Sequence, residues 1–193
     1  MKEHELHNYK LVLQYEGIRY NGWQKQKNQE NTIQEVVENA VFDGTGERAE
    51  VIGSGRTDAG THAMGQVANV KLGQDLEPER LMDNINKHLP SDIKILECEK
   101  VDNRFHARLN AKAKTYMYTL CVGKKPDVFN RRTVLHYCAD LDVNAMKKAA
   151  EYLKGEHDFM SFCSNKRTKK STVRKIYDIE IKTDRYSQAQ KYC

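Results

Sequence analysis

The chain has 193 residues, 39% hydrophobic and 31% charged, with a formal net charge of +5. That size and balance suit one compact domain or two small ones sharing a core, and they exclude a disordered chain. No apolar run approaches a membrane span, the polar segment Met1–Asn8 has no signal-peptide core, and the modest positive excess favours polyanions without requiring one.

Tyr9–Tyr15 alternates apolar and polar side chains and is rich in β-formers, so it reads as a strand. Thr32 with Glu35 makes a capping box, and Ile33, Val36, Val37, Ala40 and Val41 repeat at helical spacing behind it. Glu50–Gly53 begins a second strand and Gln66–Leu72 a third. Pro78 opens a helix through Leu81, Met82 and Ile85 toward His88, and Ile93–Val101 is a fourth strand. The order β-α-β-β-α-β is that of a ferredoxin-like half.

A second round then begins. Ala113–Val122 and Thr133–Cys138 read as strands. Asp142 caps a helix with Val143, Met146, Ala149, Ala150 and Leu153 facing inward, Gly155 ends it, and Val173–Lys182 reads as another strand. The expected organisation is an α+β chain of two ferredoxin-like (RRM-like) halves sharing an antiparallel or mixed sheet, the second half incomplete. The halves are expected at residues 1–104 and 105–182, with an aberrant polar tail at 183–193.

Five cysteines (Cys98, Cys121, Cys138, Cys163 and Cys193) form no CxxC pair and match no zinc spacing. They read as structural thiols in a reducing cytoplasm. The histidines are dispersed as well, so no metal site is expected.

The densest chemistry lies in Gly53-Ser54-Gly55-Arg56-Thr57-Asp58-Ala59-Gly60-Thr61-His62-Ala63, a loop between two strands. Its glycines permit positive φ and close backbone approach. Arg56 stands two residues before Asp58, placed to pair with that carboxylate and to meet a phosphate or stack on a base. A tight turn would explain the glycines and the aspartate alone. The loop is not a P-loop, because no Gly-Lys-Ser/Thr follows, and it fails the spacing of the dinucleotide fingerprint.

The whole string resembles the catalytic loop of the tRNA pseudouridine synthase A family, with Thr61 where that family usually has Val. Phe105-His106-Ala107-Arg108, followed by Ala111, Lys114, Tyr116 and Tyr118, is similar to the family's second motif. Tyr15-Glu16-Gly17, Tyr20-Asn21-Gly22-Trp23-Gln24 and Thr32-Ile33-Gln34 resemble its opening strand and helix. Glu156–Phe162 resembles a fourth segment, and the motifs occur in family order between residues 9 and 175.

That resemblance implies the pseudouridine synthase fold and isomerisation of uridine to pseudouridine in tRNA, at positions 38–40 in and beside the anticodon loop. The N1–C1′ bond breaks, the uracil turns, and C5 bonds to C1′, so neither a redox cofactor nor an external group is implied. Oxocarbenium character at C1′ calls for a carboxylate, and Asp58 is the motif's candidate. Attack on the sugar, attack on the base and removal of a 2′ proton all remain open for it. A second acid, which a hydrolase would need, is not visible.

Tyr116 is the expected platform for the flipped base, and Arg56 the expected partner of Asp58 and filler of the vacated space. Tyr118 is assigned to packing. Arg104 and Arg108 are expected either to face phosphates or to brace the loop. Lys124, Lys125, Arg131, Arg132, Lys166 and Arg167 are candidate RNA contacts in basic clusters. The family also implies a homodimer around tRNA, with no membrane and no metal. Beyond residue 182 the family pattern vanishes, several tens of residues short of its last strands. A truncated or frameshifted end is therefore expected, and an inactive RNA-binding fragment is the alternative.

Overall fold

β1 (His7–Tyr15) owes its place at the middle of a sheet to its alternation, which sends Tyr9, Leu11, Leu13 and Tyr15 into the core. The computed structural model describes residues 5–26, 30–123, 128–163 and 171–183. They fall into two units, Met1–Tyr118 and Thr119–Cys193.

In the first unit, β1 is joined by α1 (Ile33–Thr45), β2 (Val51–Gly53), β3 (Ala63–Leu72), α2 (Pro78–Asn86) and β4 (Ile93–Val101). The sheet order is β2-β3-β1-β4, with every neighbouring pair antiparallel. Ala68, Val70 and Leu72 of β3 and Ile93 and Ile95 of β4 bury on the same face as the β1 side chains. Ile33, Val37, Ala40 and Val41 of α1 and Leu81 and Ile85 of α2 complete that core. Each fully buried aliphatic side chain of this kind contributes about 1.5–3 kcal/mol.

The capping box forms, slightly shifted. The Thr32 side chain accepts from Glu35 N at 3.4 Å, and the Glu35 carboxylate accepts from Asn31 N at 3.2 Å. Asn86 closes the far end of α2 on β4, donating to Ile95 O at 3.0 Å and accepting from Ile95 N at 2.9 Å.

The opposite face of the sheet carries two buried polar side chains, Asn8 of β1 and Asn69 of β3. Asn69 Nδ2 donates to Asn8 Oδ1 at 3.1 Å, and Asn8 Nδ2 donates to the carbonyls of Asp102 and Phe105 at 3.0 and 2.9 Å. Ala107 N returns a bond to Asn69 Oδ1 at 2.9 Å, so the pair clamps the segment after β4 against the sheet.

In the second unit, β5 (Leu120–Val122) and β6 (Leu135–Tyr137) pair in parallel. β7 (Gly155–Asp158) and β8 (Val173–Ile176) pair antiparallel. Between the two pairs, α3 (Val143–Glu151) is capped by Asp142 Oδ1, which accepts from Ala145 N at 2.9 Å.

Several expectations are corrected here. The strand expected over 113–122 survives only as β5, and the one over 173–182 only as β8. Residues 111–119 take no regular structure among the described residues, because β-formers become a strand only with a neighbour to pair with. Among the described residues the strands form three separate sheets, of which the four-stranded one lies wholly in the first unit. The two compact units divide after Tyr118, and the Asn8–Asn69 clamp ties 102–107 to the first sheet. Gly155 opens a strand rather than only ending a helix. Cys138 is exposed, while Cys98, Cys121 and Cys163 are half-buried. The tail beyond Thr183 lies outside the described residues.

Candidate active site

The loop from Ser54 to His62 joins β2 to β3 and is fastened on both sides. On the β3 side, Ser54 N donates to Val67 O at 2.7 Å. The Gln66 side chain spans the loop's base, accepting from Ser54 Oγ at 2.9 Å and donating to Gly55 O at 2.6 Å.

On the other side stands the segment that follows β1. Trp23 N donates to Thr57 O at 3.0 Å, and Gly60 N donates to Tyr20 O at 3.3 Å. The Tyr15 hydroxyl and Thr57 Oγ1 share a hydrogen bond at 2.9 Å. Two glycines make this approach possible. A Cβ on Gly22 would lie 2.7 Å from Thr57 O, and one on Gly17 would overlap Thr61 O. The Tyr15-to-Gln24 motif is thus the seat of the Asp58 loop.

Asp58 sits exposed between these anchors, its own carbonyl accepting from Thr61 N at 3.1 Å in a turn that uses Gly60 at φ 78°. Anchored backbone on both sides with an exposed carboxylate between suits a group that must reach a ligand from a fixed position. An open depression of about 640 Å³ lies beside it, lined by Asn21, Gln24, Arg56, Thr57, Asp58 and Ala59 among others.

Arg56 is exposed at the same depression, but its partner is not the expected one. Its Nε donates to Gln24 Oε1 at 3.1 Å, and among the described residues it forms no ion pair with Asp58. Gln24 in turn belongs to a polar chain through Gln34 and Glu38. Sequence reading places Gln24 and Gln34 in motifs without giving them a task; a glutamine among the inward positions of α1 was the available signal. Lys114 also reaches the loop, its side chain lying over Gly55 where a Cβ would stand.

Two tyrosines supporting the loop are held in the protonated form. Burial raises the Tyr15 hydroxyl pKa, with the Thr57 hydrogen bond working against it. Burial and then the bond to Asp92 push Tyr20 up to about 12. Arg19 completes that cluster with an ion pair to Asp92 at 2.7 Å.

Tyr116 is 75% exposed and Tyr118 86% exposed, so the packing role expected for Tyr118 is corrected. Neither ring touches another among the described residues, and neither lies in a strand. Arg104 and Arg108 are exposed on the clamped segment, and their guanidinium groups make no hydrogen bond or ion pair among the described residues. Arg131 and Arg132 are exposed in the second unit, where Arg131 Nη1 donates to Val128 O at 2.5 Å. Lys124, Lys125, Lys166 and Arg167 lie outside the described residues.

The chain belongs to the tRNA pseudouridine synthase family, whose model matches residues 11–110 and 149–192. It is 44% identical over 176 residues to tRNA pseudouridine synthase A 2 of Bacillus cereus, a match covering 91% of this chain and 72% of that protein. It is 45% identical over 176 residues to tRNA pseudouridine synthase A of Bacillus sp. KSM-64, with the same coverage. Over 179 residues it is 40% identical to tRNA pseudouridine synthase A of Acetivibrio thermocellus, covering 93% of this chain and 73% of that protein.

Proposed function

We propose that the chain is an isomerase converting uridine to pseudouridine in tRNA, acting in the anticodon stem-loop at positions 38–40 with Asp58 as the catalytic carboxylate. The observation that carries this reading is an exposed Asp58 on a loop anchored at Thr57 and Gly60, beside Arg56 and an open depression.

The reaction balances within the substrate. The N1–C1′ bond breaks, the C5–C1′ bond forms, C5 loses a proton and N1 gains one, with no net redox change. A single carboxylate suffices because charge develops at C1′ and no water has to be activated. The target base is buried in a stack, so it must be flipped, at a cost of a few kcal/mol. Arg56 fills the space it leaves, and the exposed ring of Tyr116 offers a face on which the base stacks. Arg104 and Arg108 supply phosphate contacts, with Arg131, Arg132, Lys124, Lys125, Lys166 and Arg167 as further candidates.

The fold that goes with this function is a pair of ferredoxin-like halves. The element order and the strand order β2-β3-β1-β4 support that reading for the first half. The working form is a homodimer in the cytoplasm, on the strength of the family resemblance; no helix among the described residues is long and apolar enough to cross a membrane. One observation favours the alternative of RNA binding without catalysis. Tyr116 stands in irregular chain with no ring contact among the described residues, so its platform is not preassembled. Incubating unmodified tRNA with the protein and mapping carbodiimide adducts by reverse transcription tests the proposal. Stops at positions 38–40 are expected, and adduct-free tRNA that is nonetheless bound supports the alternative.

A further inference from the structure

Arg56 stands at the end of a line of polar side chains whose polarity is fixed from its buried end. Glu38 of α1 is mostly buried, and its carboxylate can only accept. Oε1 takes bonds from Val51 N at 3.2 Å and Gln34 Nε2 at 3.0 Å, while Oε2 pairs with Lys25 Nζ at 3.1 Å. Gln34, 4% exposed, therefore turns its amide nitrogen to Glu38 and its oxygen the other way. A second donor enforces that orientation, because Lys25 N gives its hydrogen to Gln34 Oε1 at 3.0 Å.

Gln24 Nε2 donates to the same oxygen at 2.7 Å. Its own oxygen is thereby turned toward Arg56 Nε, which donates to it at 3.1 Å. An isolated glutamine can flip its amide with little penalty. Here a flip at Gln24 would set nitrogen against the guanidinium and oxygen against oxygen.

We propose that the relay Glu38–Gln34–Gln24 is a positioning device that holds the Arg56 guanidinium at the mouth of the Asp58 depression. All three are positioning residues; none needs to touch the substrate. The relay also ties the arginine to α1 and to the start of β2, so the loop's cation is oriented by the rigid core instead of by the exposed carboxylate beside it. The catalytic consequence rests on the function proposed above; the orientation of Arg56 does not.

Two measurements test it. The first is the NMR signal of the Arg56 Nε–H in the full chain, assigned by its disappearance in Arg56→Lys. Slow solvent exchange is expected in the parent protein, with exchange like that of a free arginine in Gln34→Met and in Gln24→Leu. Gln24 is only half-buried, so the second variant covers the case in which the first fails to fold. An Arg56 signal unchanged in both Gln34→Met and Gln24→Leu overturns the proposal.

The second is a double-mutant cycle on pseudouridine formation. Gln24→Leu should lower kcat about 10- to 100-fold with KM little changed. In an Arg56→Ala background Gln24→Leu should have no further effect. Equal losses in both backgrounds would make the relay merely structural and overturn the proposal. A parent protein that forms no pseudouridine but shows the exchange pattern overturns the proposed function and leaves the relay's hold on Arg56 standing.

Discussion

Gly22 lies so close beneath Thr57 that a Cβ on the glycine would stand 2.7 Å from the threonine's carbonyl oxygen. The same residue has φ 82°, a conformation that side chains disfavour. The two facts together make the post-β1 segment a seat moulded to the Asp58 loop. Sequence spacing then places Asp58 one residue beyond the anchored Thr57.

Gly22→Ala should therefore cost about 1–3 kcal/mol from backbone strain, with the overlap adding to it. Thermal unfolding should show a lower Tm, and kcat for pseudouridine formation should fall more than tRNA affinity. A variant as stable and as active as the parent would show that the loop does not need this seat.

The Asn8–Asn69 pair makes a separate prediction. Asn69→Leu leaves Asn8 Oδ1 and Ala107 N without their partners on a buried face. Each stranded group costs about 1–3 kcal/mol. Urea unfolding should show a stability loss of that order, and the Ala107 amide should exchange faster than in the parent. Unchanged protection at Ala107 would mean that the clamp does not hold the segment bearing Arg104 and Arg108.

Those two arginines are expected to act on phosphates. Replacing both with alanine should weaken binding to all tRNAs alike. The slope of log affinity against log salt should fall by about 1 for each phosphate left without its arginine. An unaltered slope would exclude phosphate binding by either residue.

Alkaline stability should follow the buried hydroxyls. Tyr20 is pushed up from the usual 10.0 to about 12, and Tyr15 is raised too, by burial. The unfolded chain then releases these protons at lower pH than the folded one. The Tyr20 stabilisation is fully present below about pH 10 and is lost as pH climbs through about 12. Cys98, raised by burial from 9.0 to about 12, adds a loss of the same sign that begins near pH 9. Tyr20→Phe should flatten the fall in unfolding free energy between pH 10 and 12 relative to the parent. An equal slope in both proteins would contradict the Tyr20 contribution.

The first unit was largely legible from sequence because its signals are local and agree with one another. The alternation of Tyr9–Tyr15, the Thr32 cap and the Pro78 start each specify an element that tertiary packing then keeps. The glycines of the Asp58 loop announced a close approach, but not that the approaching surface is Gly17 and Gly22. Long-range partners were the hidden part. Nothing near Arg56 in the sequence says that Gln24, thirty-two positions away, holds it in place of Asp58. Residues 113–119 misled for the converse reason: they have the composition of a strand, but a strand exists only where another pairs with it.

The most direct test of the central claim is tritium release from tRNA labelled at C5 of uridine, because forming the C5–C1′ bond must expel that hydrogen. Release is predicted for the 193-residue chain and none for Asp58→Asn, which loses one charge, keeps its shape and should still bind tRNA. Release by Asp58→Asn at the parent rate would take Asp58 out of the reaction and contradict its assignment as the catalytic carboxylate.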